Sequence, residues 1–70
     1  MAQSVGEQLK QARLARGLTL EQAAQTTRIR RHYLEALEIG DLEGLPSPVQ
    51  GRGMLSNYAA FLGLDPRKTA

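Results

Sequence analysis

Apolar residues recur every three or four positions along most of this chain, and no stretch alternates between apolar and polar residues as a strand does. Four segments share this helical spacing. They predict helices at about 4–16, 20–27, 30–39 and 48–62. Helices with one apolar side bury that side against each other, so the pattern predicts a compact all-α fold of four to five helices.

Short polar and glycine signals mark the ends of these segments. Thr19 and Gln22 stand three residues apart, which is the spacing of a capping box, so the second helix is expected to begin at Leu20. Similar start signals precede the first and fourth helices, and glycine follows the first, third and fourth, where it can adopt the left-handed backbone that ends a helix. These signals are Ser4 with Glu7, Ser47 with Pro48, and Gly17, Gly40 and Gly63.

The second and third segments form one unit, residues 17–40, in which two short helices are joined by a tight corner at Arg28 and Ile29. Thr26 and Thr27 end the first of them, because their hydroxyls compete with helical hydrogen bonding. This is helix-turn-helix geometry, and it resembles the unit of phage-repressor-like DNA-binding proteins. If the unit binds DNA, the phosphate and groove contacts are expected from Arg28, Arg30, Arg31 and His32.

Two residues fit a DNA-reading surface less well. Leu20 occupies the place where such readers usually carry a polar residue that touches phosphate. Glu35 could accept a hydrogen bond from cytosine N4, yet a carboxylate near the phosphate backbone is repelled. The net charge of +2 permits nucleic-acid contact without demanding it. Sequence-specific DNA binding by a transcriptional regulator therefore stands as the alternative function.

Composition excludes several other classes of protein. The chain has 70 residues, 41% of them hydrophobic, which suits one small globular domain. It has no cysteine and one histidine, so no disulfide, metal site or cofactor is expected. No carboxylate, histidine and nucleophile stand at a catalytic spacing, so we expect no enzyme. No apolar run is long enough to span a bilayer, and we expect the domain to be cytoplasmic.

Several other residues have expected structural roles. Leu42 and Leu45 are expected to pin the loop before the fourth helix to the core. Arg13, near the end of the first helix, either complements the helix dipole or contacts a ligand. Glycine inside the fourth helix indicates close approach of a neighbour or a weak first turn, at Gly51 and Gly53. Four acidic residues are expected to form a solvated face and its exit: Glu35, Glu38, Asp41 and Glu43.

A longer resemblance covers nearly the whole chain. The string TRIRRHYLEALEIGDLEGLPSPVQGRGMLSNYAAFLGLDP is similar to the cytoplasmic N-terminal domain of the RodZ family of bacterial cell-shape proteins. The resemblance implies a domain, here residues 1–70, that continues into a longer membrane-anchored protein with one transmembrane helix. At Asp65 and Pro66 the sequence predicts one further capped turn. The implied partner is the actin-like filament protein MreB.

The RodZ resemblance places the filament contact mainly on the fourth helix and its adjoining loop. The expected function is that of a non-catalytic adaptor between a membrane protein and the filament. For Tyr58 and Phe61, packing in the core is an alternative to partner contact, because a tyrosine at the edge of a core can serve both. The candidate partner-binding residues are Gln50, Arg52, Met54, Asn57, Tyr58 and Phe61.

Overall fold

A computed structural model describes residues 4–64 and confirms the all-α fold. Within that range the chain forms four α-helices, with a 3₁₀ turn at Leu42–Gly44 between the third and the fourth. The further turn predicted at Asp65 and Pro66 lies outside the described residues. The helices are α1 (Val5–Ala15), α2 (Leu20–Thr27), α3 (Arg31–Ile39) and α4 (Pro48–Phe61).

The predicted start signals cap three of the helices. At α2 the capping box is complete: the Gln22 N–H donates to Thr19 Oγ1 at 3.1 Å, and the Thr19 N–H donates to Gln22 Oε1 at 2.9 Å. Ser4 accepts a hydrogen bond from the Glu7 N–H at 3.1 Å, and Ser47 does the same for Gln50. Each contact satisfies a backbone donor that has no partner inside its helix.

The corner between α2 and α3 forms where the paired threonines end the helix. The Thr27 hydroxyl donates to the Ala23 carbonyl at 2.8 Å and accepts from the Ile29 N–H at 3.2 Å. Arg28 then adopts a left-handed backbone conformation, with φ of 61°. A side chain at such a φ is strained relative to glycine, so the corner holds an arginine in a conformation that few residues adopt.

The core is centred on α3, which packs against each of the other three helices and the 3₁₀ turn. Its largest fully buried side chains are Leu9 from α1, Leu34 from α3 and Tyr58 from α4. The remaining members are small or aliphatic, as the sequence predicts for a chain without tryptophan. They are Ala23, Ile29, Leu37, Ala59 and Leu62.

Glycine allows two close approaches between elements. A Cβ on Gly6 of α1 would clash with the carbonyl oxygen of Glu38 and lie 2.8 Å from that of Leu37, so α1 crosses α3 backbone to backbone. A Cβ on Gly51 would lie 2.9 Å from the Leu45 side chain, so close approach explains that glycine. Gly53 has open space around it, so close approach does not explain this glycine. The other explanation, a weak first turn of α4, remains for Gly53.

Of the two leucines that were expected to pin the loop before α4 to the core, one does so. Leu45 is half-buried and packs against the core, as predicted. Leu42 is 78% exposed, so its predicted role as a second anchor is wrong. Leu42 begins the 3₁₀ turn, and its side chain points outward. Asp41 caps this turn, because its Oδ1 accepts a hydrogen bond from the Gly44 N–H at 3.3 Å.

The two helical glycines Gly6 and Gly53 should respond oppositely to alanine. Gly6→Ala should lower the free energy of unfolding by about 1–3 kcal/mol, because the new methyl group overlaps the α3 backbone. Gly53→Ala should raise it by about 0.5–1 kcal/mol, because alanine loses less conformational entropy in an exposed helix. Urea denaturation followed by circular dichroism measures both. A Gly6→Ala variant as stable as the wild type would contradict the close crossing.

Candidate functional site

The predicted partner-binding residues divide between two flanks of α4. Successive residues lie about 100° apart around a helix, so spacings of four, three and four place Gln50, Met54, Asn57 and Phe61 in one stripe. We call these four residues the α4 stripe. Arg52, two residues after Gln50, lies roughly 200° around the helix, on the opposite flank. The six candidates therefore do not form one surface.

The α4 stripe combines accessible amides with apolar side chains. Gln50 and Asn57 are exposed, while Met54 and Phe61 are half-buried and pack against the core with part of their surface outward. The Gln50 side chain is already engaged, because the Ser47 hydroxyl donates to its Oε1 at 3.2 Å. Asn57 is therefore the freer of the two amides.

Tyr58 does not belong to a contact surface. It is 0% exposed, and its hydroxyl donates to Glu38 Oε2 at 2.5 Å. Its position in α4, four residues before Leu62, turns it into the core. The prediction that Tyr58 contacts a partner is therefore wrong. The structure shows the alternative that the sequence offered for this residue, which is packing in the core.

A buried polar cluster lies behind α4 and joins three helices. Arg13 of α1 donates through Nε to Glu38 Oε2 at 2.8 Å and through Nη2 to Oε1 at 3.0 Å. Its Nη1 donates to the Leu18 carbonyl at 2.9 Å. With Tyr58 donating to the same carboxylate, the three side chains form what we call the Arg13–Glu38–Tyr58 cluster. Every buried side-chain polar atom among the described residues has a hydrogen-bond partner.

The cluster corrects two predictions. Glu38 is only 7% exposed, so it is not part of the solvated acidic face. Arg13 lies in the last turn of α1, as the helix-dipole prediction requires, but it is 8% exposed and holds Glu38, so its main contact is internal and not with a ligand. A signal for both was present in the sequence. Arg13 follows Leu9 by four residues and Glu38 follows Leu34 by four, which places each charge on the core side of its helix.

The cluster shifts the protonation equilibria of two of its members. Burial raises the pKa of the Tyr58 hydroxyl well above its usual value near 10, and the hydrogen bond to the Glu38 carboxylate raises it further. The hydrogen bond to Glu38 also raises the pKa of Arg13, against the opposing effect of burial. The fold therefore favours a protonated tyrosine and a charged arginine beside one carboxylate.

The candidate DNA-binding residues all lie at the corner between α2 and α3. Arg28, Arg30, Arg31 and His32 are exposed. Arg31 forms an exposed ion pair with Glu21 of α2 at 3.0 Å, and His32 lies against Tyr33 with ring centroids 4.1 Å apart. Arg30 precedes α3 without a side-chain cap, so the basic residues flank a helix start that has free N–H groups.

Neither a metal-binding cluster nor a membrane-spanning helix is found in the part of the chain that the structure describes. Residues 4–64 contain no group of three or more histidine, cysteine, aspartate or glutamate side chains that could hold a metal ion. In the same range, no helix has the length and apolar character needed to cross a membrane. The described surface presents the α4 stripe, the loop before α4 and the basic corner, our name for Arg28, Arg30, Arg31 and His32.

The chain belongs to the helix-turn-helix domain family, whose model matches residues 8–69. Among curated proteins it is similar to the cytoskeleton protein RodZ of Streptococcus pneumoniae, with 40% identity over 62 residues. That match covers 89% of this chain and 22% of the pneumococcal protein, so the chain spans about a fifth of its relative's length. The resemblance to RodZ seen in the sequence is confirmed.

A solved structure shares the fold. YmfM from Staphylococcus aureus, described as a candidate DNA-binding membrane protein, matches with a TM-score of 0.90 and 31% identity. The match covers 96% of this chain and 82% of the YmfM chain. The helix-turn-helix core and the added fourth helix are therefore a shared architecture.

Alkaline titration should reveal the buried hydroxyl of Tyr58. Its pKa is higher in the folded state than in the unfolded state, so the stability it provides is complete below about pH 10 and is lost as the pH rises further. Above that pH, the wild type should lose up to about 1.4 kcal/mol of unfolding free energy per pH unit more than Tyr58→Phe. Urea denaturation between about pH 9 and pH 11 measures this difference.

Tyr33→Phe is the matched control, since it also removes one tyrosine hydroxyl but leaves the buried cluster intact. It should keep the alkaline loss of the wild type. Equal pH profiles for the wild type and Tyr58→Phe would contradict the protonated, buried hydroxyl.

Proposed function

We propose that this domain is the adaptor of a RodZ-like cell-shape protein, lies on the cytoplasmic side of the membrane, and binds an actin-like MreB filament through the α4 stripe. The observation that carries the proposal is the 40% identity to the cytoskeleton protein RodZ over 62 residues. Because that alignment covers 22% of the pneumococcal protein, the proposal concerns the role of this domain alone.

The chemistry of the α4 stripe supports a protein partner. Met54 offers a flexible, polarisable side chain, and Phe61 offers an aromatic edge; both types are frequent in protein interfaces. The exposed amides of Gln50 and Asn57 can donate and accept hydrogen bonds at the rim. No charged residue lies in the stripe, so contact would not require desolvation of a charge.

The helix-turn-helix would then serve as a platform. The Arg13–Glu38–Tyr58 cluster ties α4 to α1 and α3 through Tyr58 and fixes the direction in which the stripe faces. A pre-formed stripe loses little conformational entropy when it binds, which favours affinity from a small surface.

An arginine at position 57 should block filament binding without disturbing the fold. Asn57 is exposed and central in the stripe, so Asn57→Arg places a large charge in the contact and should weaken co-sedimentation with MreB filaments about 10-fold or more. Ser56→Arg is the matched control, because Ser56 is exposed on the neighbouring solvent side of α4. Equal binding by Asn57→Arg and the wild type would defeat the assignment of the stripe.

DNA binding is the second candidate function. Two observations favour it: the exposed basic residues at the start of α3, and the similarity to YmfM, described as a candidate DNA-binding protein. In this case α3 would enter the major groove, with Arg28, Arg30 and Arg31 on phosphates. Arg31 would have to leave its ion pair with Glu21, which costs little because that pair is exposed.

Salt dependence tests this second candidate. About three phosphate contacts predict that the logarithm of the affinity for DNA falls with the logarithm of salt concentration with a slope near 3. Arg30→Ala should reduce that slope by about 1, and Lys10→Ala, which removes an exposed cation of α1 outside the corner, should leave it unchanged. Equal slopes for all three proteins, measured by fluorescence anisotropy, would rule out DNA contact by the basic corner.

A further inference from the structure

Two apolar cavities meet at the loop before α4, on the flank of that helix opposite the α4 stripe. The larger, of about 540 Å³, has the apolar walls Leu45, Pro46, Pro48 and Leu55. The smaller, of about 420 Å³, lies between the start of α1 and the end of α3. Leu42 and Leu55 line both cavities, so the two form one continuous apolar depression.

Leu42 stands between these cavities as a projection. Its side chain is 78% exposed, and Ile39, which lines the smaller cavity, is 70% exposed. Covering exposed apolar side chains of this kind favours association, because their surface is removed from water. An apolar projection beside an apolar depression has the shape that two copies of one surface need in order to fit each other about a two-fold axis.

The charges around this surface would also be complementary between two copies. The projection is acidic, because Asp41 and Glu43 flank Leu42 and both are exposed. The larger cavity is basic, because its charged lining residue is Arg52. Among residues 4–64, neither Glu43 nor Arg52 has an ion-pair partner. An anionic lipid surface would be repelled by the acidic flank, so the chemistry favours a protein surface that carries both signs.

We propose that this surface is a homodimer interface. About a two-fold axis, Leu42 of each copy enters the larger cavity of the other copy, and Glu43 of each copy pairs with Arg52 of the other. This interface gives a role to Arg52, which lies on the flank of α4 opposite the α4 stripe. It leaves that stripe free on each copy, so the dimer would present two stripes to a filament with repeated sites and gain avidity.

The dimer does not depend on what the α4 stripe binds. A monomeric chain would overturn the homodimer and leave the proposed filament contact standing, whereas a dimer that fails to bind filaments would do the reverse.

Sedimentation equilibrium of the 70-residue chain, from about 10 μM to about 1 mM, tests the homodimer. The wild type should shift from monomer to dimer in this range, and Leu42→Ser should weaken the dimer about 10-fold or more. Val49→Ser is the matched control, because Val49 is 74% exposed but does not line either cavity. Its dimer should match that of the wild type.

A charge exchange tests the pairing of Glu43 with Arg52. Glu43→Arg and Arg52→Glu should each weaken the dimer, and the double variant should restore it, because the exchanged charges again face each other. A wild-type chain that stays monomeric up to about 1 mM would overturn the proposal. A dimer that Leu42→Ser leaves unchanged would overturn it as well, and a double variant weaker than both single variants would overturn the charge pairing.

Discussion

The structure depends on one buried carboxylate, that of Glu38. It accepts two hydrogen bonds from Arg13 and one from Tyr58, residues 25 and 20 positions away in sequence. A buried ion pair contributes little net stability when complete, but removal of one partner leaves an uncompensated charge that costs about 3–5 kcal/mol. In a chain with a small core and no disulfide, that cost is a large part of the total stability. The cluster therefore fixes which arrangement of helices is allowed, more than it adds to their stability.

The arrangement set by this cluster explains where contact surfaces can lie. Tyr58 turns one side of α4 into the core, and Gly6 lets α1 approach α3 closely beside the same carboxylate. Two flanks of α4 stay outward: the α4 stripe on one, and Arg52 with the apolar depression on the other. The basic corner of the helix-turn-helix is a third, separate surface. These three surfaces are therefore separate on the described part of the domain.

Most of the fold could be predicted from local signals, and much of the site could not. Thr19 with Gln22 and Ser47 with Pro48 mark helix starts through contacts within one turn, so sequence alone places them correctly. The role of Glu38 depends on Arg13, which is distant in sequence, and a charge is more often solvated than buried. Its spacing from Leu34 was a usable signal that the acidic residues around it obscured. The prediction that Leu42 anchors the loop was wrong for a related reason. An apolar residue in a loop can project into solvent as well as pack against the core, and the sequence does not distinguish the two.

We propose that this helix-turn-helix domain meets its filament partner through the α4 stripe and not through the corner between α2 and α3. The direct measurement is a titration of the ¹⁵N-labelled chain with an MreB variant that does not polymerise, followed by amide chemical shifts. Contact through the α4 stripe predicts that the largest shifts map to Gln50, Met54, Asn57 and Phe61. Shifts confined to residues 28–32, or their absence at saturating MreB, would contradict it.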